Sequence, residues 1–205
     1  MLILAINTAT SNTCIALLEN NKILAENAWL SDNDEAEKLM PAIYALLKSQ
    51  SLNFSDIKKV LVVKGPGSFT GLRIGVTVAN TIAYLNQCPL NSLTTLDYLH
   101  YQNYAAVLLF AGKGAVYLSK KAEDKAKIVD LPDLATELEG IAQVTGDISE
   151  EQKNALAQTE FIKPTKSFAE IMLEFLETNP ADQTIIEPFY IKQPSISKSK
   201  KICFT

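Results

Sequence analysis

The 205-residue chain is 47% hydrophobic and 20% charged, proportions that exclude a disordered chain and argue against a membrane span. Its formal net charge of −4 has the wrong sign for a protein that grips nucleic-acid phosphates unaided, so any RNA connection must run through a partner. The length allows one globule or two small lobes. Three scattered cysteines, Cys14, Cys88 and Cys203, read as reduced structural thiols rather than disulfides or zinc ligands.

The opening Leu2-Ile3-Leu4-Ala5-Ile6 is apolar but short, lacks a basic flank and meets Asn7-Thr8 at once. It reads as a strand, not a signal peptide, and a cytoplasmic location is expected. Residues 2–6, 12–18 and 22–29 form a predicted antiparallel meander with short polar turns. A helix is predicted within 35–50, a fully buried strand at Val60-Leu61-Val62-Val63, and a second helix from Leu72 to Asn86. The order is therefore βββαβα.

The second half follows a similar order. Strands are predicted at about 105–110, 115–119 and 126–129, a helix near 133–139, a strand at 141–145, and helices near 149–157 and 167–178. Two related α/β lobes follow, with a boundary near 95–102: a first lobe over 1–98, a diverged second lobe over 99–193, and a basic, serine-rich tail over 194–205 that reads as a frayed terminus.

Between the buried strand and the second helix lies Lys64-Gly65-Pro66-Gly67-Ser68-Phe69-Thr70-Gly71-Leu72-Arg73. Glycines ahead of a helix N-terminus suit either a tight strand-to-helix turn or a phosphate cradle. The spacing matches neither G-x-x-x-x-G-K-[ST] nor G-x-G-x-x-G, so both alternatives stand.

The run from Gly65 to Gly75 resembles the hallmark segment of the TsaB (YeaZ) family. Ile3 to Thr10 is similar to that family's opening strand and turn, Leu39-Met40-Pro41 to its first-helix motif, and Pro188-Phe189-Tyr190-Ile191-Lys192 to its late proline–tyrosine segment. The resemblance is strong over 1–100 and faint beyond. It implies an α/β, actin-like (ASKHA, ribonuclease H-like) fold of two lobes, each of βββαβα type with a mixed sheet. It also implies a non-catalytic subunit of the complex that adds a threonylcarbamoyl group to the adenosine beside the anticodon of tRNA. The implied partners are a TsaD-like ligase and a TsaE-like ATPase, with a homodimer when alone, tRNA met indirectly and no membrane contact. No cofactor of its own is expected; ATP and magnesium serve the assembled complex.

Active actin-like phosphotransferases carry an aspartate at the end of the first strand, where it helps hold magnesium. Here that position is Asn7, a poorer ligand for a hard cation than a carboxylate. A single histidine, His100, excludes paired-histidine metal sites and leaves Ser68 and Cys14 without a linked base. No catalytic or metal-ligating residue is therefore expected. Asp34-Glu35-Ala36-Glu37-Lys38 stands where the family often has a histidine and reads as a solvated first turn. Phe110-Ala111-Gly112-Lys113 replaces the family's usual Asp-Ala-Arg.

Both first-lobe helices lack an adequate polar face. Leu39 to Leu47 carries no charge, and Leu72 to Asn86 carries one. Pro41 fits best in the first turn of its helix; if the helix instead starts near Asp34, a kink is expected. Gly75, Ala79 and Ala83 form a small-residue stripe along which another helix could approach. The resemblance implies a bundle formed with the equivalent helices of TsaD or of a second copy, which makes Leu39, Ile43, Leu72, Val76, Ala79 and Ala83 the expected partner-binding positions. The glycine-loop residues with a possible phosphate contact are Gly65, Pro66, Gly67, Ser68, Phe69, Thr70, Gly71 and Arg73. An actin-like ATPase or small-molecule kinase, a peptidase and a free-standing homodimeric interaction module are the rival readings.

Overall fold

The computed structural model describes residues 1–121, 126–178 and 180–191. Its first sheet has the order β3-β2-β1-β4-β5. Strands β1 (Leu2–Asn7), β2 (Asn12–Glu19) and β3 (Lys22–Leu30) form the antiparallel meander. Strands β4 (Ile57–Val63) and β5 (Leu90–Leu93) add to it in parallel. Helices α1 (Glu35–Ser49) and α2 (Phe69–Asn86) pack on this sheet.

The second sheet repeats the scheme as β10-β9-β6-β7-β8. Strands β6 (Ala106–Phe110), β7 (Ala115–Lys120) and β8 (Lys127–Asp130) form the meander, and β9 (Gln143–Asp147) and β10 (Glu160–Phe161) run parallel to β6. Helices α4 (Leu131–Glu137) and α5 (Glu150–Asn154) lie between strands in sequence. The two halves therefore share one topology, β1 matching β6 and β4 matching β9.

The helices that follow each sheet cross over. Helix α3 (Thr95–His100) comes after the first sheet but packs on β6; α6 (Phe168–Glu177) comes after the second but packs on β2 and β3. The expected division at residue 98 thus falls within α3. Strand β2 shows how the layers form. Cys14, Ala16 and Leu18 point into a core shared with α3, α6 and the second sheet, whereas Ile15 and Leu17 point toward α1 and α2. Alternate residues of a strand face opposite sides, so a sheet covered on both sides is apolar throughout. Glu26 on β3 accepts a 3.3 Å bond from the Ala169 amide at the start of α6, tying that helix to the first sheet.

Residues 180–191, expected in the second lobe, run back along the first. Leu90 and Gln183 exchange backbone bonds of 3.1 and 2.8 Å, extending the β5 edge. The Asn80 amide exchanges two bonds with Ile186, and Asn91 donates to Ala181 at 2.8 Å. Lys59 pairs with Asp182 at 2.9 Å, which lowers the Asp182 pKa. The strap also blunts a sheet edge that would otherwise be open. The tail over 194–205 and Cys203 lie outside the described residues; Cys14 and Cys88 are free thiols.

Candidate functional site

The carboxyl ends of β1, β4, β6 and β9 converge on a cleft of about 930 Å³ between the sheets. Parallel strands commonly present ligand sites at this end. What lies there is set by four loops.

The turn after β1 is held by Asn7. This fully buried side chain donates to Thr10 Oγ1 at 2.8 Å and accepts from the Ala9 amide at 3.0 Å. Both ends of the amide are engaged in shaping the turn. The equivalent strand end in the second half, at β6, carries Phe110, which lines the cleft and is partly exposed. Neither strand end offers a carboxylate, and among the described residues no group of three or more His, Cys, Asp or Glu could hold a metal ion.

The glycine loop after β4 packs on both sides. A Cβ on Gly67 would lie 2.0 Å from the Ala9 carbonyl oxygen, and one on Gly71 2.2 Å from that of Thr8. Gly65, at φ +110°, adopts a left-handed backbone, and its missing Cβ would lie 2.4 Å from the Phe189 oxygen. Two loop amides are already committed: Ser68 N donates to Ala9 O and Gly71 N to Ser68 Oγ, which caps α2. This cap starts α2 at Phe69, three residues before the predicted Leu72. Pro66 is buried and Thr70 exposed. Arg73 stacks over Phe69 at 3.9 Å and donates to the Tyr190 hydroxyl at 3.4 Å, while Phe69 and Tyr190 lie 5.1 Å apart. The late proline–tyrosine segment is therefore the outer wall of the glycine loop.

The small-residue stripe serves this chain's own packing. A Cβ on Gly75 would sit 2.1 Å from Thr8 Oγ1, which itself donates to Gly71 O at 2.7 Å. Ala79 and Ala83 continue the same face inward. All six expected partner-binding residues, Leu39, Ile43, Leu72, Val76, Ala79 and Ala83, are buried against the first sheet. They are core, because each helix turns its smallest or most branched side to the sheet. The outward faces expose Met40 and Tyr44 on α1 and Tyr84 and Leu85 on α2; Tyr84 is 83% and Leu85 72% accessible. Sequence reasoning found the helices but not this face, since both sides are apolar.

Two further expectations need correction. Helix α1 begins at Glu35, so Pro41 sits in its interior and not in the first turn. Glu35 is 2% exposed, not solvated; its Oε1 accepts from Ser31 Oγ at 2.5 Å, and it lines the cleft. Beside it, Asp34 pairs with Lys38, which lowers the aspartate pKa. His100 lies at the junction of the halves, bonded through Nε2 to Ser119 Oγ at 2.8 Å, and burial lowers its pKa. Ser68, the nucleophile of a peptidase reading, spends its hydroxyl on the α2 cap. Cys14 is buried, with its pKa pushed up to about 12 by desolvation, which opposes thiolate formation.

No helix among the described residues is long and apolar enough to cross a membrane. Residues 30–181 match the model of the family described as TsaD, tRNA N6-adenosine threonylcarbamoyltransferase. The tRNA threonylcarbamoyladenosine biosynthesis protein TsaB of Bacillus subtilis is 35% identical over 122 residues, 57% of this chain and 53% of that protein. Its Escherichia coli namesake is 32% identical over 96 residues, 47% and 41% respectively. The chain spans about half the length of the curated relatives it matches. A Pseudomonas aeruginosa protein described as similar to peptidase YeaZ superposes with a TM-score of 0.73 at 20% identity, covering 93% of this chain and 99% of that one. YeaZ from the same organism gives 0.67 at 19% identity over the same shares. These structures share the two-lobed, actin-like fold, and the chain belongs to the family described by the threonylcarbamoyltransferase model, as a TsaB (YeaZ) member.

Proposed function

We propose that this protein is a non-catalytic subunit of the machinery that places a threonylcarbamoyl group on the adenosine next to the anticodon of tRNA. It docks through the outer face of α1 and α2 onto a TsaD-like ligase, and a TsaE-like ATPase joins the assembly. ATP and magnesium serve the complex, while this chain contributes shape. The observation that carries the docking reading is the set of large side chains, Met40, Tyr44, Tyr84 and Leu85, left exposed on two helices whose other faces are core. Large apolar side chains left in water cost solvation that a partner can recover, and tyrosine is enriched where binding energy concentrates.

The non-catalytic reading is supported by Asn7 and Phe110 at the two matched strand ends and by the engagement of the Asn7 amide within its own turn. The test is native mass spectrometry of the protein with the TsaD-like ligase of its own organism. A one-to-one heterodimer that is lost on Tyr84→Glu supports the reading. A heterodimer indifferent to Tyr44→Glu and Tyr84→Glu would place the interface elsewhere, and magnesium-dependent ATP turnover by this protein alone would overturn the non-catalytic role.

A further inference from the structure

Helix α1 starts without a side-chain cap. Asp34, its N-cap residue, pairs with Lys38 instead of bonding the first-turn amides. Pro41 has no amide for the Glu37 carbonyl, so the segment 35–40 is joined to the rest of the helix less firmly than an ordinary turn. What holds that segment is Glu35. Its side chain is buried, accepts from Ser31 Oγ at 2.5 Å, and abuts the first turn of α2, where a Cβ on Gly71 would lie 3.3 Å from Glu35 Oε1. The positive end of the α2 dipole favours a carboxylate there. Glu35 thus meets both docking helices at their starts.

A line of hydrogen bonds leads from Glu35 to the other half. Ser31, directly after β3, takes the Asn33 amide on its Oγ at 3.2 Å and gives its own amide to Ser11 O at 2.9 Å. Ser11 gives its amide to Asp147 Oδ2 at 2.6 Å and its hydroxyl to Asp147 Oδ1, at the end of β9. Ser11 is therefore engaged on its donor and acceptor sides at once, an arrangement in which neighbouring bonds polarise one another. The exposed Met40 and Tyr44 stand on either side of Pro41, so the placement of 35–40 decides how the two are presented together.

We propose that Glu35 is a positioning residue of the docking face, and that the second half sets the start of α1 through Asp147, Ser11 and Ser31. The consequence for a partner rests on the docking reading; the positioning itself does not. With the halves joined at Ser11 and Asp147, the first turn of α1 is fixed and the face is formed. Parting them releases residues 35–40 and lowers partner affinity. Docking must then favour the joined state by the same factor.

The test is amide hydrogen exchange of the free full-length protein, comparing wild type with Asp147→Leu and Asp147→Asn. An asparagine offers an acceptor to the Ser11 amide and a donor to its hydroxyl oxygen, so it keeps both contacts. Asp147→Leu should speed exchange about fivefold, the factor one lost hydrogen bond gives, at Ser31 and at residues 37–40. Residues 45–49 should keep their rates, and Asp147→Asn should restore the wild-type rates at 37–40. Glu35→Ala should speed the same first-turn amides without affecting residues 147–149. Acceleration that stops at residues 9–12, or one that is equal at every core amide, would overturn the proposal. Association with the TsaD-like ligase is measured second, and Asp147→Leu should bind about fivefold more weakly than wild type or Asp147→Asn. Full affinity in Asp147→Leu would overturn the link to docking. A wild type that does not bind would overturn the docking reading alone, with the exchange rates still deciding the role of Glu35.

Discussion

Ser11 presents both its backbone amide and its hydroxyl to the carboxylate of Asp147, although 136 residues separate them in sequence. The two residues occupy facing loops of the matched halves, after β1 and at the end of β9. The amide that could receive an anion at the first turn is thus given to a carboxylate of the chain itself. This clasp joins the two halves at the wall of the cleft.

Removing the clasp should loosen the cleft without unfolding the protein. Asp147→Ala deletes two charge-assisted bonds at a partly exposed site, a loss of about 1 kcal/mol. Urea denaturation should show that small decrease, and amide exchange should accelerate around residues 9–12 while the β1 and β4 core stays protected. Unchanged exchange at the turn would show that Asp147 does not hold it.

The close approach of α2 to the first turn predicts a specific coupling. Gly75→Ala should cost about 1–3 kcal/mol, because the new methyl would occupy the position of Thr8 Oγ1. Thr8→Ala removes that obstruction, so the double variant should be more stable than the sum of the two single losses implies. Strictly additive losses would contradict the packing described. By the same geometry Ala79→Arg, which buries an unpaired charge, should destabilise by more than about 3 kcal/mol.

Restoring a carboxylate at the first strand end should not create a nucleotide site. Asn7→Asp removes the donor to Thr10 and places a charge in a fully buried position, costing about 1–3 kcal/mol. Phe110 still stands at the matching end of β6. Calorimetry with magnesium and ATP should show no binding by either protein; clear binding by Asn7→Asp would show that this single residue had closed the site.

Acidification should weaken the fold through His100. Burial, outweighing the nearby Asp97 carboxylate, lowers its pKa from the ordinary value of 6.5. The unfolded chain therefore binds the proton first, so stability is fully present above about pH 6.5 and falls as pH drops from there toward the lowered folded value. Below that value the histidine contribution levels off. Comparing wild type with His100→Gln from about pH 7.5 to 5 should show a shallower acid-side decline for the variant. Parallel curves would assign the decline to other groups.

The first half of the fold was legible because its signals are local. The apolar run at 2–6, the polar turns and the buried run at 60–63 each declare an element, and β1, β2 and β3 appear within a residue or two of the predicted bounds. Strand β5 was missed because Leu90-Asn91-Ser92-Leu93 is short and half polar; its Asn91 is buried only because the strap at 180–182 supplies acceptors for the side-chain amide. Helix α3 was missed because six residues give little periodicity, although the Thr94–Asp97 capping box marks its start. Strand β10 is two residues long.

At the site, the importance of the glycine loop was visible, but its reason was not. The demands on Gly67, Gly71 and Gly75 come from Thr8 and Ala9, some 60 residues earlier, and the demand on Gly65 from Phe189, more than 120 later. Helix orientation was likewise hidden. A helix with apolar residues all round does not state which side meets the sheet, and only tertiary packing separated Ala79 from Tyr84.

The most direct test of the docking account is native mass spectrometry of wild type, Tyr44→Glu and Tyr84→Glu, each mixed with the TsaD-like ligase. Both substitutions sit on exposed positions, so stability should change by no more than about 0.5 kcal/mol. The account predicts a one-to-one heterodimer for wild type and its loss for the variants, with circular dichroism unchanged. Failure of the folded wild type to associate with the ligase, or full association by both folded variants, would contradict it.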